Sequence, residues 1–282
     1  MLVLPEGTPF GGGGIPETNV TVSTIGTVVT ASATANQKGS WVSLIDPTSG
    51  PSYGIYVRLH GISSANAVTA ILVDIGYGPT GGGNEVVLLP DLGCGAAADH
   101  TTAIGGKDFF FPVYVPAGVR VSARAAASTA SDTALVQIHL LKRSLWPVRG
   151  GPVSAYGVVA ASSRGTSITP GTNAFGSWTL LQAGPLNRPH TLWYCAMDGQ
   201  ADTTMIDNRH HLVQLGIGPD SSNVTPIFQG HGTEEGSECV DAIIPVMPQY
   251  APTIADAAID LWCRIAATPS AEARGMIAYG MD

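Results

Sequence analysis

Apolar and polar residues alternate with a period of two along several short stretches of this chain. Ile55, Val57 and Leu59 alternate with Tyr56, Arg58 and His60, and Val136, Ile138 and Leu140 alternate with Gln137 and His139. After the turn Pro116-Ala117-Gly118, the residues Val119, Val121 and Ala123 fall on one side and Arg120, Ser122 and Arg124 on the other. Successive side chains of a strand point to opposite faces, so the pattern predicts antiparallel strands buried on one face. Short strands separated by Gly, Pro and Asn turns predict an all-β chain of β-sandwich type, jelly-roll-like. The run Ala125 to Ala134 has the one mildly helical composition, but its Ser and Thr residues favour a loop.

The pattern occurs twice. Gly39-Ser40-Trp41 recurs as Gly176-Ser177-Trp178, and Leu72-Val73-Asp74-Ile75-Gly76-Tyr77-Gly78-Pro79 as Leu212-Val213-Gln214-Leu215-Gly216-Ile217-Gly218-Pro219. Phe111-Pro112-Val113 has a counterpart in Ile244-Pro245-Val246, and Val121-Ser122-Ala123-Arg124 in Leu261-Trp262-Cys263-Arg264. Four matches in the same order at nearly constant spacing predict two tandem homologous β-sandwich domains. The expected organisation is an N-terminal arm at 1–26, repeat one at 27–141, an extended linker at 142–164 and repeat two at 165–282. The arm carries the glycine run Gly11 to Gly14 and three prolines, and is expected to order only against a partner. The repeated Gly-x-Gly-Pro is read as a tight turn, and Trp41 and Trp178 as large buried rings at a strand start.

Composition narrows the function. Gly 35 and Pro 20 in 282 residues exclude a mainly helical protein. Charged residues are 12%, about half of the ~25% usual for soluble domains, which suits a subunit covered by neighbours. The net charge is −8 and the only lysines are Lys38, Lys107 and Lys142, so no basic stretch exists to neutralise a row of phosphates. No direct contact with nucleic acid is expected. No apolar run approaches the ~18 residues of a membrane span, and no signal peptide is recognisable at the start. Neither membrane association nor export is expected, and assembly in a cytoplasm is.

Candidate chemistry is sparse. The runs Gly11 to Gly14 and Gly81 to Gly83 lack the Lys-Ser/Thr of a phosphate loop. Of the seven histidines (His60, His100, His139, His190, His210, His211 and His231), adjacent His210 and His211 would face opposite sides of a strand. His231 lies near Glu234, Glu235 and Glu238, the one cluster with metal-like donors, yet Gly232 and Gly236 make an acidic loop the plainer reading. Cys94, Cys195, Cys239 and Cys263 have no metal spacing. They read as buried thiols, with a disulfide between strands of the second repeat as the alternative. No catalytic, metal or cofactor residue stands out, and Asp74, which becomes Gln214, cannot serve a role shared by both repeats. A non-enzymatic protein is expected.

The residues Gly39-Ser40-Trp41, Val73-Asp74-Ile75-Gly76-x-Gly78 and Phe111-Pro112-Val113-x-Val115-Pro116-Ala117-Gly118-Val119-Arg120, with Ala123-Arg124, resemble a group of tailed-bacteriophage virion structural proteins. Repeat two carries a weaker form, with Gln249-Tyr250-Ala251-Pro252 in place of the Pro-Ala-Gly turn. The resemblance implies a capsid cement or decoration protein built of tandem β-sandwich modules. Such a protein binds the exterior of the virion shell and bridges subunits of the major capsid protein, and those of this size look like homotrimers. The alternative is a tail fibre or spike component that binds host-surface glycans. That reading calls for exposed loop aromatics, of which Trp146 is the sequence candidate, and for a shaft of heptads or short repeats, which is lacking.

Overall fold

The computed structural model describes residues 16–62, 69–96, 107–143, 151–184, 186, 190, 192–199, 209–234, 249–250, 259–268 and 273–281. These residues form strands, turns and a single 3-10 turn at Ala160–Ser162, so the chain is all-β. No helix among them is long and apolar enough to cross a membrane. The first half comprises β1 (Glu17–Thr18), β2 (Thr27–Thr30), β3 (Val42–Ile45), β4 (Ile55–Ile62), β5 (Thr69–Gly78), β6 (Val86–Ala96), β7 (Lys107–Phe111), β8 (Arg120–Ala127) and β9 (Thr133–Leu140). The second comprises β10 (Ser154–Tyr156), β11 (Val158–Val159), β12 (Arg164–Ile168), β13 (Gly171–Thr172), β14 (Thr179–Gln182) and β15 (Leu192–Gly199). It continues through β16 (Arg209–Gly218), β17 (Thr225–Glu234), β18 (Gln249–Tyr250), β19 (Asp260–Thr268) and β20 (Arg274–Met281).

Four sheets result, and each draws its strands from one half. In the first half β9 lies between β4 on one side and β1 and β2 on the other, with β7 beyond β4. The facing sheet runs β3-β8-β5-β6. In the second half β20 lies between β15 and the pair β10 and β12, with β18 beyond β15, and the facing sheet carries β14-β19-β16-β17. The eight main strands of each half pair in the same order, and a parallel contact of Ala31 with Ala125 corresponds to β13 on β19; β11, which pairs with β12, has no counterpart in the first half.

Alternation decides which side chains form the cores. Ile55, Val57 and Leu59 of β4 and Val136, Ile138 and Leu140 of β9 are all buried, while Tyr56, Arg58, Gln137 and His139 sit on the outer face. Strands β15 and β20 depart from this rule. Trp193, Cys195, Met197, Met276 and Ala278 fill the second core, and Leu192, Tyr194, Ala196, Ile277, Tyr279 and Met281 join the first. Every residue of β20 is buried, so its sheet is covered on both faces. The two halves therefore pack as one body. The Tyr194 hydroxyl donates to the Asp108 carbonyl on β7 at 2.9 Å, and the Tyr279 hydroxyl donates to the Asp91 carbonyl on β6 at 2.9 Å while accepting from the Gly93 N–H at 3.2 Å. These bonds satisfy backbone groups on the outer edges of the first sandwich, where unpaired strand groups would otherwise remain.

Several sequence expectations need amendment. The arm read at 1–26 is in part docked on its own chain: β1 pairs with β9, Thr18 Oγ1 donates to the Ile138 carbonyl at 2.6 Å, and Asn19 Nδ2 donates to the Val136 carbonyl at 2.8 Å. Residues 1–15 lie outside the described residues. The stretch read as a linker at 142–164 contributes β10 and β11 to the second half, because Ser154, Ala155 and Tyr156 find ladder partners on β20. Its residues 144–150, with Trp146, lie outside the described residues. The loop expected over Ala125 to Ala134 is shorter, since β8 runs to Ala127 and β9 starts at Thr133. Gly76 and Gly78 lie inside β5 and not in a turn; the turn follows them, with Gly81, Gly82 and Gly83 all at positive φ.

Candidate functional site

The residues repeated between the halves meet in space. In the first half the Trp41 ring, half-buried, lies under the Arg124 guanidinium, whose carbon is 4.6 Å from the ring centroid. Arg124 Nε donates to Asp74 Oδ2 at 2.8 Å, and Lys38 Nζ donates to Asp74 Oδ1 at 2.7 Å. The Asp91 N–H also donates to Asp74 Oδ1, at 2.9 Å, and Lys38 reaches the Asp91 carboxylate at 2.9 Å. Asp74 is thus a carboxylate whose acceptor sites are filled by a guanidinium, an ammonium and a backbone amide.

The second half builds the same platform with different charges. Arg264 lies over Trp178 at 4.3 Å and over Phe175 at 4.7 Å, and its Nε donates to Gln214 Oε1 at 2.9 Å. Phe175 takes the place of Lys38 and Gln214 that of Asp74, so an ion pair has been exchanged for an aromatic stack and an amide. Arg264 keeps its charge and is held by a neutral amide and two aromatic faces where Arg124 has a carboxylate. The glycines explain themselves here: a Cβ on Gly76 would lie 2.8 Å from Trp41 Cη2, and one on Gly216 would lie 2.9 Å from Trp178 Cη2. Asn36 and Asn173, both at positive φ, turn the chain before each tryptophan, and their N–H groups donate to the carbonyls of Ala127 and Ala267 at 2.7 and 2.8 Å.

Beside the second platform lies an open cleft of about 430 Å³, lined by Asn173, Phe175, His210, Leu212, His231 and Thr268 among others. Its floor is the outer face of β16, β17 and β19. Leu212 stands opposite His231 and His210 opposite Thr268, so these four side chains share the outward face. Leu212 is 42% exposed, unusual for a leucine in mid-strand. His210 and His211 point to opposite faces, as the period of a strand requires: His210 is exposed and His211 buried. No motif marks the cleft as a site, although the difference between Lys38 and Phe175 at matched positions falls on one of its walls.

Other sequence candidates disperse. His60 and His139 lie on the outer face of the first half, and His190 is buried, with its Nε2 2.6 Å from the Tyr156 hydroxyl. His100 lies outside the described residues, as do Glu235 and Glu238 of the acidic loop. Among the described residues no group of three or more His, Cys, Asp or Glu side chains is placed to hold a metal ion. Cys94, Cys195 and Cys263 are buried, and burial pushes the Cys195 and Cys263 thiols well above their ordinary range. Cys239 lies outside the described residues. Exposed loop aromatics do exist, at positions the sequence did not single out. Tyr53 and Tyr114 flank the two-bond contact of Ser52 with Val115, with ring centroids 5.7 Å apart, and they are 37% and 42% exposed.

No family model matches the sequence, and no curated protein matches it. Among solved structures the chain is similar to PNGF-II at 7% identity and a TM-score of 0.35, over 92% of this chain and 67% of that one. It is also similar to a peptide-N(4)-(N-acetyl-β-D-glucosaminyl) asparagine amidase at 7% identity and a TM-score of 0.34, over 94% and 96% of the two chains. A tandem CBM22 domain of Paenibacillus barcinonensis Xyn10C gives 10% identity and a TM-score of 0.24, over 89% and 85%. Overlays this loose carry no argument about chemistry.

Proposed function

We propose that the chain is a tandem duplication of a jelly-roll domain and that it serves as a bacteriophage capsid cement protein. In this reading it is a non-enzymatic homo-oligomer, a trimer, on the outside of the shell, where it bridges subunits of the major capsid protein. The duplication rests on the matched strand pairings and on the two Trp-Arg-Gly platforms. The strand orders β2-β9-β4-β7 against β3-β8-β5-β6, and β12-β20-β15-β18 against β14-β19-β16-β17, are those of two interlocked Greek keys. The observation that carries the function is how the repeated residues are used. Trp41, Gly76 and Arg124, and Trp178, Gly216 and Arg264, pack on one another, which supports reading the repeated residues as architecture. Low charge density supports a body enclosed by neighbours. Particles prepared without the protein should burst at lower temperature and in weaker chelating or low-salt stress than complete ones. Equal resistance would remove the stabilising role.

A second reading, a tail fibre or spike component binding host glycans, is favoured by one observation: the exposed Tyr53–Tyr114 pair offers two aromatic faces to the C–H face of a sugar ring. Binding to immobilised bacterial surface polysaccharide that is lost in a Tyr53→Ala, Tyr114→Ala variant would support it over the first.

A further inference from the structure

We infer that the cleft on the outer face of β16, β17 and β19 receives residues 1–15 of a second copy of this chain. The inference rests on the homo-oligomeric part of the proposed function and names the contact behind it.

The two halves differ at one corresponding surface. In the first half Ala70, Leu72 and Ala126 lie on the outer face of the β5-β8 pair and are buried at 5%, 1% and 3% exposure. Ile277 of the second half closes that face: a Cβ added to Gly93, the residue opposite Leu72, would lie 3.2 Å from Ile277 Cδ1. The corresponding positions in the second half are His210, Leu212 and Ala266, with His231 opposite Leu212. Here nothing among the described residues closes the face, and the cleft is the result. An apolar strip that one half seals is therefore left open in the other.

A second copy cannot seal it by repeating the internal contact. The surface that would have to dock is the outer face of β4 and β9, and it carries Tyr56, Arg58, Gln137 and His139 where the second half has Tyr194, Ala196, Ile277 and Tyr279. The occupant must instead be an apolar segment. Residues 1–15, Met-Leu-Val-Leu-Pro-Glu-Gly-Thr-Pro-Phe followed by four glycines and Ile15, supply Leu2, Val3, Leu4 and Phe10 for a pocket walled by Phe175, Leu212 and Ala266. Charge agrees with this assignment. The one charged side chain of the segment is Glu6, and the cleft is bordered by His210, His231 and the Arg264 guanidinium stacked on Phe175, whose partner Gln214 is neutral. Fifteen extended residues reach at most ~50 Å from Pro16, enough to cross to a neighbouring subunit. Each copy then gives an arm and receives one, a head-to-tail contact that closes into a ring when the rotation permits.

The test uses full-length chains and light scattering. Wild type should scatter as a multimer at micromolar concentration. Leu212→Lys, which spoils the cleft, and the double variant Leu2→Asp, Leu4→Asp, which spoils the arm, should each scatter near the 29.0 kDa of one chain. An equimolar mixture of the two should recover a mass of two chains, since one sound arm then meets one sound cleft. Thr268→Arg at the exposed rim replaces Leu212→Lys should the latter unfold on circular dichroism. Variants that keep the wild-type mass overturn the arm-in-cleft contact and leave the oligomer standing. A monomeric wild type overturns both. Variants that become monomeric and stay so when mixed overturn exchange between copies.

Discussion

At Asp74 a buried carboxylate holds three donors, and at the matching position Gln214 an amide holds one guanidinium. The difference can be read only together with Lys38 and Phe175, since an acid without its ammonium, or an ammonium without its acid, would leave charge behind. Asp74→Gln alone should cost about 2 kcal/mol, because Lys38 and Arg124 then share a neutral acceptor. Adding Lys38→Phe, which copies the second half, should recover about 1 kcal/mol of that loss. Urea melts of the two single variants and the double variant measure this, and strict additivity would contradict the coupling. Gly76 and Gly216 belong to the same argument. A methyl group there must displace an indole held beneath an arginine, so Gly76→Ala should lose about 1–3 kcal/mol in the same melts.

The strands that were legible in the sequence are those with one wet face. Ile55 to Leu59 and Val136 to Leu140 alternate because Tyr56, Arg58, Gln137 and His139 look outward. Leu192 to Met197 and Met276 to Met281 do not alternate, and their reason is not local: one side of each strand fills its own core and the other seals the first sandwich. The continuous apolar run Leu-Trp-Tyr-Cys-Ala-Met was the available sign of double burial. Tyr279→Phe should expose the cost of that seal. It strands the Asp91 carbonyl and the Gly93 N–H, and a loss of about 1–3 kcal/mol is expected in chemical denaturation, with no change for the exposed Tyr114→Phe. The base of the arm is tied differently. Burial alone would raise the Glu17 carboxyl, but hydrogen bonds from Lys142 and from the Ser49 N–H and hydroxyl outweigh it and hold the group below the ordinary glutamate value. A depressed folded value means stabilisation that is fully present only above the ordinary glutamate value of 4.5 and is lost as the pH falls through the folded value. Amide exchange at Thr18 should therefore accelerate below pH 4 beyond what the intrinsic rate gives, and Glu17→Gln should abolish that pH dependence.

For the whole molecule, the matched motifs were visible in sequence because Trp, Arg and Gly are distinctive and their spacing is fixed by the platforms they build. What the repeat hid was the asymmetry between the halves: one half has its outer face closed by the other, and the second is left with an open cleft. Among the described residues that asymmetry leaves an apolar surface open to a neighbour, as the proposed assembly requires. In the proposed function an oligomer built on it would multiply weak contacts with a shell, because each docked subunit holds the others at high effective concentration. The proposed place on the particle is tested most directly by electron cryo-microscopy of the complete virion. Two stacked sandwiches per chain, grouped three by three over the outside of the capsid and joined by a chain passing from one copy to the next, are the expected density. Density of that shape found in the tail, or an outer shell surface bare of it, would contradict the capsid-cement reading.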